Sequence, residues 1–286
     1  MCRLFGMSAA PERVRATFWL LDAPDSLARQ SHREPDGTGL GIFTADGRPD
    51  LRKQPLAAYE DEQFTREAKD CESTTFVAHI RYASTGGVDP VNTHPFEQQG
   101  RLFAHNGVIG DLSTLDQELG EHRDLVRGDT DSERFFALIT AHIGAQGDVG
   151  AGIAAAAQWV AGHLPVYALN AVLTTPAELW ALRYPDTHDL FVLRRAPGGQ
   201  HGDRHLDHAG TRLRAHSGAL VEHAAVVVAS ERMDEDPGWQ DLAPGELLHV
   251  GPDLAVTRRT VLDRPPRHRL TLAELGAHAA ASQAPR

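Results

Sequence analysis

The chain contains very little cysteine: Cys2 and Cys71 are the only two among its 286 residues. A fold held together by several disulfides is therefore excluded, and a reducing compartment such as the cytoplasm is expected. In that compartment a free thiol can act as a nucleophile.

The chain also lacks long apolar runs and an excess of basic residues. No segment approaches the roughly 18 apolar residues of a membrane-spanning helix. No basic region followed by an apolar one opens the chain, so neither a secretory signal nor a membrane partner is expected. Acidic residues outnumber Lys and Arg by 39 to 28, which gives a formal net charge of −11. This balance argues against a nucleic-acid partner, because such binding usually needs a basic face.

The order of the expected elements indicates a layered fold. Strands are predicted near both ends of the chain, with residues 3–9 as the first, and helices are predicted at residues 11–21 and after Thr130. Several expected strands are apolar throughout, which is typical of sheets covered on both faces. We therefore predict an α+β fold of stacked sheets with outer helices. One domain is expected over residues 2–262, with Pro265-Pro266 ending the folded part and a C-terminal tail at 263–286. Within that tail, residues 270–286 are expected to be a weak terminal helix or to lack structure.

Cys2 has a chemical option that depends on its position directly after Met1. If Met1 is removed, one residue carries both a thiol and a free α-amine. The amine has an ordinary pKa of roughly 7.7–8.0, so it accepts a proton near neutral pH. Nucleophile and general base then lie a few bonds apart. The position alone is weak support, because any residue can follow an initiator Met.

Arg81 and the pair Asn106-Gly107 each have an ordinary and a functional interpretation. Arg81 ends a predicted strand, where it forms either a surface salt bridge or a fork of donors for a carboxylate. Asn106-Gly107 is a common hairpin turn, and we expect the strand at residues 101–105 to end there. In the functional interpretation, the Asn106 amide and the Gly107 N–H form an oxyanion hole.

The segment Gly-Asp-Thr-Asp-Ser-Glu at residues 128–133 has the pattern of an acidic helix start. Thr130 and Glu133 have the spacing of a capping box. In the functional interpretation, one carboxylate of this segment binds a ligand ammonium. An Arg for a carboxylate and an Asp for an ammonium describe an amino-acid head group, while a thiol and an oxyanion hole describe attack on an acyl carbon. Together they indicate cleavage of an amino acid's side-chain amide.

Five short motifs follow one another within about residues 2–140: MCRLFG, HIRYASTGG, NTHPF, AHNGVIGD and GDTDSE. In these motifs the chain resembles the class II glutamine amidotransferases, which are N-terminal nucleophile hydrolases with a four-layer αββα sandwich. The segment VASERM extends the resemblance to about residue 260. No synthetase, isomerase or phosphoribosyltransferase domain is expected after it. The chain therefore resembles the stand-alone subgroup, of which SHREPDGTGLGIF is also typical.

The resemblance implies a role for each of the matching residues. Cys2, freed from Met1, would be the nucleophile and its α-amine the base, and Asn106 with Gly107 would form the oxyanion hole. The substrate-binding residues implied for a glutamine molecule are Arg81 for the α-carboxylate, Asp131 for the α-ammonium, and Thr85 and Gly86 for backbone contacts in the pocket.

Two positions depart from the pattern of many synthase-linked members of this family. Those members carry Trp and His where this chain has Tyr82 and Thr85, so contacts made by that pair cannot be transferred. His94 of NTHPF is expected to support its loop rather than to perform chemistry.

The resemblance implies hydrolysis of the side-chain amide of glutamine, or of a γ-glutamyl amide, through a γ-glutamyl thioester on Cys2. No metal or other cofactor is expected, since the spacing around Cys2 lacks a zinc pattern. Two alternatives stay open: a γ-glutamyl hydrolase of the ergothioneine pathway, and a non-catalytic binding or regulatory protein that retains the fold. The expected partner is glutamine or a γ-glutamyl small molecule. A separate synthase or acceptor subunit, and the role of the His-rich segment 197–218, are left open.

Overall fold

The computed structural model of the chain describes residues 2–33, 36–81, 89–197, 207–210, 213–216 and 222–283. Its first large sheet has seven strands, all paired antiparallel. In chain order they are β1 (Arg3–Ser8), β3 (Gly37–Phe43), β4 (Pro49–Gln54), β6 (Thr75–Arg81), β11 (Phe191–Arg195), β14 (Ala225–Ala229) and β15 (Gln240–Asp241). Across the sheet they lie in the order β15-β11-β14-β1-β6-β3-β4, so the first strand of the chain is central.

The second large sheet also has seven strands. They are β7 (Phe96–Gln98), β8 (Arg101–Ile109), β9 (Pro165–Thr174), β10 (Leu179–Arg183), β16 (Glu246–Val250), β17 (Val256–Thr260) and β18 (His268–Arg269). The first six lie in the order β17-β16-β10-β9-β8-β7, and β18 pairs parallel with the start of β9. Two small strand pairs complete the β-structure: β2 (Val14–Arg15) with β5 (Glu72–Ser73), and β12 (Asp207–Gly210) with β13 (Leu213–His216).

The helices are α1 (Leu27–Gln30), α2 (Glu62–Asp70), α3 (Leu112–Leu119), α4 (Asp131–Gln146), α5 (Val149–His163) and α6 (Ala277–Gln283), with a π-helix at Phe18–Asp22. Helices α1 to α5 cover the outer faces of the two sheets, whereas α6 packs against Val108 and Tyr167. Within the described part of the chain, no helix combines the length and apolar character needed to cross a membrane.

Three buried apolar clusters define four layers. Alternate residues of a strand point to opposite faces of its sheet. Leu4 of β1 therefore packs between the sheets with Val172 of β9, whereas Phe5 packs outward with Trp19. On the far side of the second sheet, Phe103 packs against Phe135 of α4. This arrangement, helices–sheet–sheet–helices, confirms the predicted αββα sandwich.

The strand predicted at residues 3–9 is confirmed as β1, whereas two other local predictions of secondary structure are wrong. The helix predicted for residues 11–21 is absent from its first half, because Val14–Arg15 pairs with Glu72–Ser73 as strands; only Phe18–Asp22 is helical. Asn106-Gly107 is not a hairpin turn. Strand β8 continues through the pair to Ile109, with Asn106 opposite Asn170 and Gly107 opposite Leu169 of β9.

The chain after residue 262 is packed against the second sheet. His268–Arg269 form β18, and Leu275 of the next segment packs against Val108 and Tyr167. The expectation that the fold ends at Pro265-Pro266 is therefore wrong, because these residues are followed by further buried contacts. The placement of a domain boundary at residue 262 stays a prediction.

At Gly39, strand β3 closely approaches the backbone just before β7. A Cβ built on Gly39 would lie 1.8 Å from the His94 carbonyl oxygen, which no side-chain movement can relieve. Gly144 of α4 offers a contrast, because it is exposed and a Cβ there meets nothing within 4 Å.

We predict opposite effects of alanine at these two glycines on the free energy of unfolding. Gly39→Ala should lower it by at least about 2 kcal/mol, because backbone atoms must shift. Gly144→Ala, its matched control, should raise it by roughly 0.5–1 kcal/mol, since alanine favours a helix interior. Urea denaturation of both variants checks this. Equal stabilities for parent and Gly39→Ala would show that the close approach at β3 is not rigid.

Candidate active site

Cys2 and Arg81 lie side by side at one end of the first sheet. Arg3 of β1 pairs with Ile80 of β6, so the residue before Arg3 is next to the residue after Ile80. Both side chains face away from solvent, with 7% of Cys2 and 4% of Arg81 exposed. Burial lowers the pKa of the Arg81 guanidinium, while negative charge on Cys2, Asp36 and Asp131 acts in the opposite direction. Arg81 thus shares an electrostatic environment with Cys2 and Asp131.

The start of β1 is fixed by contacts with the segment that follows β14. Leu4 exchanges two hydrogen bonds with Ser230: the Leu4 N–H donates to Ser230 Oγ, and the Ser230 N–H donates to the Leu4 carbonyl, both at 3.0 Å. The buried Arg3 guanidinium forms an ion pair with Glu231 at 3.2 Å. These contacts hold the backbone directly after Cys2, and they assign a positioning role to the VASERM segment.

Asn106 connects the second sheet to Cys2. Its Nδ2 donates to the Cys2 carbonyl oxygen at 2.8 Å, and the side chain is 1% exposed. An amide nitrogen carries two hydrogens, so this bond uses one of them. The Asn106 Oδ1 atom is buried and has no hydrogen-bond partner among the described residues. The amide is therefore held against Cys2 with one N–H donor and its oxygen acceptor still available.

Gly107 has a purely structural reason to be glycine. A Cβ at this position would lie 1.9 Å from the Ala168 carbonyl oxygen of β9 and 2.7 Å from Nε2 of His105. The close approach of β9 therefore excludes any side chain there. The place of Gly107 next to Asn106 agrees with the predicted oxyanion hole, but that role stays a prediction.

Asp131 is the first residue of α4 and also contacts the end of β8. Its Oδ2 accepts a hydrogen bond from the Ile109 N–H at 2.8 Å, and its Oδ1 accepts one from the Ser132 N–H at 2.9 Å. Thr130 caps the helix by accepting from the Glu133 N–H at 3.2 Å, as the sequence predicted. The helix N-terminus stabilises a negative charge at this point.

The loop before β7 is joined to the loop before α4. Asn92 Oδ1 accepts from the Asp129 N–H at 2.9 Å, and Glu133 Oε2 accepts from the Gly128 N–H at 2.7 Å. A Cβ on Gly128 would lie 2.4 Å from Asn92 Oδ1. The NTHPF motif alone predicts no role for Asn92, whereas the structure shows that its side chain holds the loop before α4.

Three buried histidines lie behind these residues. The rings of His79 and His94 are 4.2 Å apart, and His94 also packs edge-on against Phe96 at 4.7 Å. His105 contacts Ser132 Oγ through Nδ1 at 2.9 Å and the Ala168 carbonyl through Nε2 at 3.1 Å. The expected supporting role of His94 agrees with this packing, while the contributions of His79 and His105 were not foreseen.

Burial keeps these imidazoles neutral. Desolvation, followed by the positive charges of Arg81 and His105, lowers the pKa of His79 to about 3. Desolvation also holds the pKa of His94 well below its ordinary value, and it lowers the pKa of His105 against the opposing charge of Asp131. The polar cluster next to Arg81 is therefore uncharged at neutral pH.

The structure brings four of the predicted site residues to one end of the sandwich: Cys2, Arg81, Asn106 and Asp131. Gly107 lies beside them in β8. The predicted pocket residues Thr85 and Gly86 lie outside the described residues.

We predict that stability falls as these histidines become protonated. A histidine with a folded pKa below its unfolded value of about 6.5 stabilises the fold fully above pH 6.5, and this is lost progressively as pH falls towards the folded pKa. His79→Gln should therefore reduce the dependence of unfolding free energy on pH, between pH 6 and 5, by about 1.4 kcal/mol per pH unit. Denaturant titrations at several pH values measure the slope directly. An unchanged slope would mean that His79 is protonated in the folded protein.

Comparison with solved structures agrees with the described fold. The glutamine phosphoribosylpyrophosphate amidotransferase of Bacillus subtilis aligns with a TM-score of 0.65 at 20% identity. The alignment covers 92% of this chain and 50% of that chain. At this level of identity the likeness shows a common fold.

Two curated proteins are related in sequence. The gamma-glutamyl-hercynylcysteine sulfoxide hydrolase of Mycobacterium tuberculosis strain H37Rv is 30% identical over 262 residues, which is 87% of this chain and 93% of that protein. Protein MJ1515 of Methanocaldococcus jannaschii is 34% identical over 149 residues, which is 50% of this chain and 39% of that protein. This chain therefore spans almost all of the first relative and less than half of the second.

A family model matches the chain from residue 1 to residue 268. Its description is glutamine amidotransferases, class II. The match includes the end of the sandwich at which Cys2, Arg81, Asn106 and Asp131 meet, and the chain belongs to the class II glutamine amidotransferase family.

Proposed function

We propose that this protein hydrolyses the side-chain amide of glutamine through a γ-glutamyl thioester on Cys2. The observation that carries this proposal is the 2.8 Å hydrogen bond from Asn106 Nδ2 to the Cys2 carbonyl. It places a buried amide donor from one sheet directly against a thiol-bearing residue of the other. A thiol and an adjacent preorganised donor are the groups that attack on an acyl carbon requires.

In the proposed reaction the α-amine of Cys2 takes the proton of the thiol, and the resulting thiolate adds to the amide carbon of glutamine. The carbon–nitrogen bond then breaks, and ammonia leaves with a proton from the α-ammonium of Cys2. Water attacks the resulting thioester, releases glutamate and restores the thiol. The balance is glutamine and water to glutamate and ammonia.

Asn106 and Gly107 are the groups we assign to the oxyanion that forms during attack. One Nδ2 hydrogen of Asn106 binds the Cys2 carbonyl, which leaves the second for the substrate oxygen. Removal of Met1 would place an ammonium on Cys2, and this group is the donor that we assign to the buried Asn106 Oδ1.

Arg81 and Asp131 are the groups we assign to the substrate head group. The guanidinium fork of Arg81 suits the α-carboxylate. The Asp131 carboxylate carries the charge opposite to that of the α-ammonium and is the acceptor we assign to it. The proximity of both charges to Cys2 supports an amino-acid substrate rather than a simple amide.

A γ-glutamyl amide with a larger amine is the second candidate substrate. The relative that covers almost the same length is named for hydrolysis of gamma-glutamyl-hercynylcysteine sulfoxide. Glutamine and such a compound share the γ-glutamyl half, so the same four residues would serve both. The leaving-group side of the site must distinguish them. A retained Met1 would instead favour a non-catalytic binding protein, and an intact mass of the purified chain decides that point.

We predict that Cys2→Ala lowers glutamine hydrolysis at least about 10³-fold, because no other group can form the thioester. Cys71→Ala is the matched control. Burial raises the pKa of the Cys71 thiol, which disfavours its reactive thiolate, so this variant should keep the parent rate. Released glutamate is measured for all three proteins. Parent-like turnover by Cys2→Ala would contradict the proposed mechanism.

We predict that Arg81 and Asn106 affect different kinetic constants. Arg81→Lys keeps the charge but loses the fork, so KM should rise about tenfold or more with a smaller change in kcat. Asn106→Ala removes an oxyanion donor, so kcat should fall by on the order of 10²–10³. Steady-state kinetics with glutamine separates the two effects. If Asn106→Ala raised KM alone, the oxyanion assignment would be wrong.

A further inference from the structure

A cavity of about 490 Å³ opens on the outer face of the second sheet, where α4 ends and α5 begins. Sites for small molecules commonly have volumes of roughly 300–1,000 Å³. The cavity lies at the far end of α4 from Asp131, which begins that helix of 16 residues. At 1.5 Å per residue the two ends of α4 are roughly 24 Å apart, so the cavity is separate from the candidate active site.

Strand register places the floor of this cavity on one face of the sheet. Trp180 of β10 lies opposite His249 of β16, and Leu247 of β16 lies opposite Arg259 of β17. Directly opposite residues of an antiparallel pair share a face. Trp180 and Leu247 belong to the apolar cluster beneath α4 and α5, so the outer face also carries His249 and Arg259.

The indole N–H of Trp180 is a donor without an acceptor. Trp180 lines the cavity and is only 5% exposed. Its ring stacks on His249 with the ring centres 4.8 Å apart and the planes 10° from parallel, which fixes the direction of the indole. Among the residues that the structure describes, none accepts a hydrogen bond from Trp180 Nε1. A buried donor left in this way favours any ligand that supplies an acceptor.

Arg259 is the charged group of the lining that lacks a partner. Across the described ranges of the chain, its guanidinium forms no ion pair with a carboxylate. The other charged groups of the lining each have a partner: Glu178 has His249 at 3.0 Å, Arg258 has Glu246 at 3.7 Å, and Asp148 accepts from the Ala151 N–H at 2.6 Å. The cavity therefore has one positive charge still available to a ligand.

These donors converge on Gly150 at the start of α5. A Cβ built on Gly150 would lie 2.9 Å from Nη2 of Arg259, 3.4 Å from Trp180 Nε1 and 3.5 Å from Oδ1 of the helix-capping Asp148. Gly150 is the second residue of α5, and N–H groups in the first turn have no partner within the helix. A guanidinium, an indole N–H and a helix start thus approach one point from β17, β10 and α5, and glycine leaves that point open.

This set of groups suits an anion rich in acceptor oxygens. Helix starts and guanidinium groups both favour phosphate and carboxylate oxygens. Because the donors come from three different elements, they match the tetrahedral oxygens of a phosphate better than the planar oxygens of a carboxylate. The volume of the cavity leaves room for the organic part of a small ligand beside its phosphate.

We propose that this cavity binds a small phosphorylated molecule, whose phosphate lies between Arg259, the Trp180 indole N–H and the first turn of α5. The site is a second ligand site on the outer face of the sandwich. It does not depend on the proposed function, because none of its residues is assigned to glutamine hydrolysis.

Isothermal titration calorimetry of the full-length protein tests the site, with phenyl phosphate as the probe and benzoate as its planar counterpart at equal ionic strength. Arg259→Gln removes the charge, and Gly150→Ala places a methyl group where the donors converge. Their matched controls are Arg66→Gln on α2, where the side chain is 66% exposed, and Gly162→Ala in α5, where a Cβ meets nothing within 4 Å.

The parent should bind one phenyl phosphate at least about tenfold more tightly than benzoate. Arg259→Gln and Gly150→Ala should each raise its Kd about tenfold or more, since a charge-assisted contact is lost or blocked. Trp180→Phe keeps an aromatic ring but loses the N–H, and it should raise Kd about fivefold. Both controls should keep the parent Kd.

Three results would overturn the proposal. They are the absence of saturable phenyl phosphate binding by the parent, an unchanged Kd in Arg259→Gln and Gly150→Ala, and equal affinity for benzoate, which would refute the assignment to phosphate. Because calorimetry needs no turnover, the outcome is the same whether or not the protein hydrolyses glutamine.

Discussion

The hydrogen bond from the Asn106 side chain to the Cys2 carbonyl joins the two sheets at the point on which the candidate site depends. It is possible only because β1 is central in one sheet and β8 faces it from the other. The exchange between Leu4 and Ser230 fixes the first strand behind Cys2. Cys2 lies directly before this buried strand and is itself buried.

Close backbone contacts and neutral polar groups stabilise this packing of the two sheets around Cys2. Gly39 and Gly107 permit approaches that any side chain would block. The histidines His79 and His94 fill the space near Arg81 without adding charge, since burial keeps their pKa values low. Arg81 and Asp131 bring a positive and a negative charge close to Cys2. Under the proposed function, these two charges would recognise the carboxylate and the ammonium of an amino-acid head group.

Local patterns predicted part of this structure, and tertiary contacts determined the rest. Cys2, Arg81 and Asp131 were identified from motif order, and the Thr130 cap from its spacing, because these signals lie within short segments. The Asn106-Gly107 turn was wrong because the pair is a turn only in isolation; pairing with β9, 60 or more residues later, keeps it extended. The same limit explains why residues 270–286 were expected to form only a weak terminal helix or a tail: the partners of α6, Val108 and Tyr167, are distant in sequence.

The central claim is that Cys2, freed from Met1, attacks the side-chain carbon of a glutamyl substrate. The most direct measurement is covalent labelling with 6-diazo-5-oxo-L-norleucine, a reactive diazoketone analogue of glutamine, followed by peptide mass spectrometry. The structure predicts one label, on a peptide that begins with Cys2, with Cys71 unmodified and with free glutamine slowing the reaction. A peptide that retains Met1 and carries no label would contradict the claim.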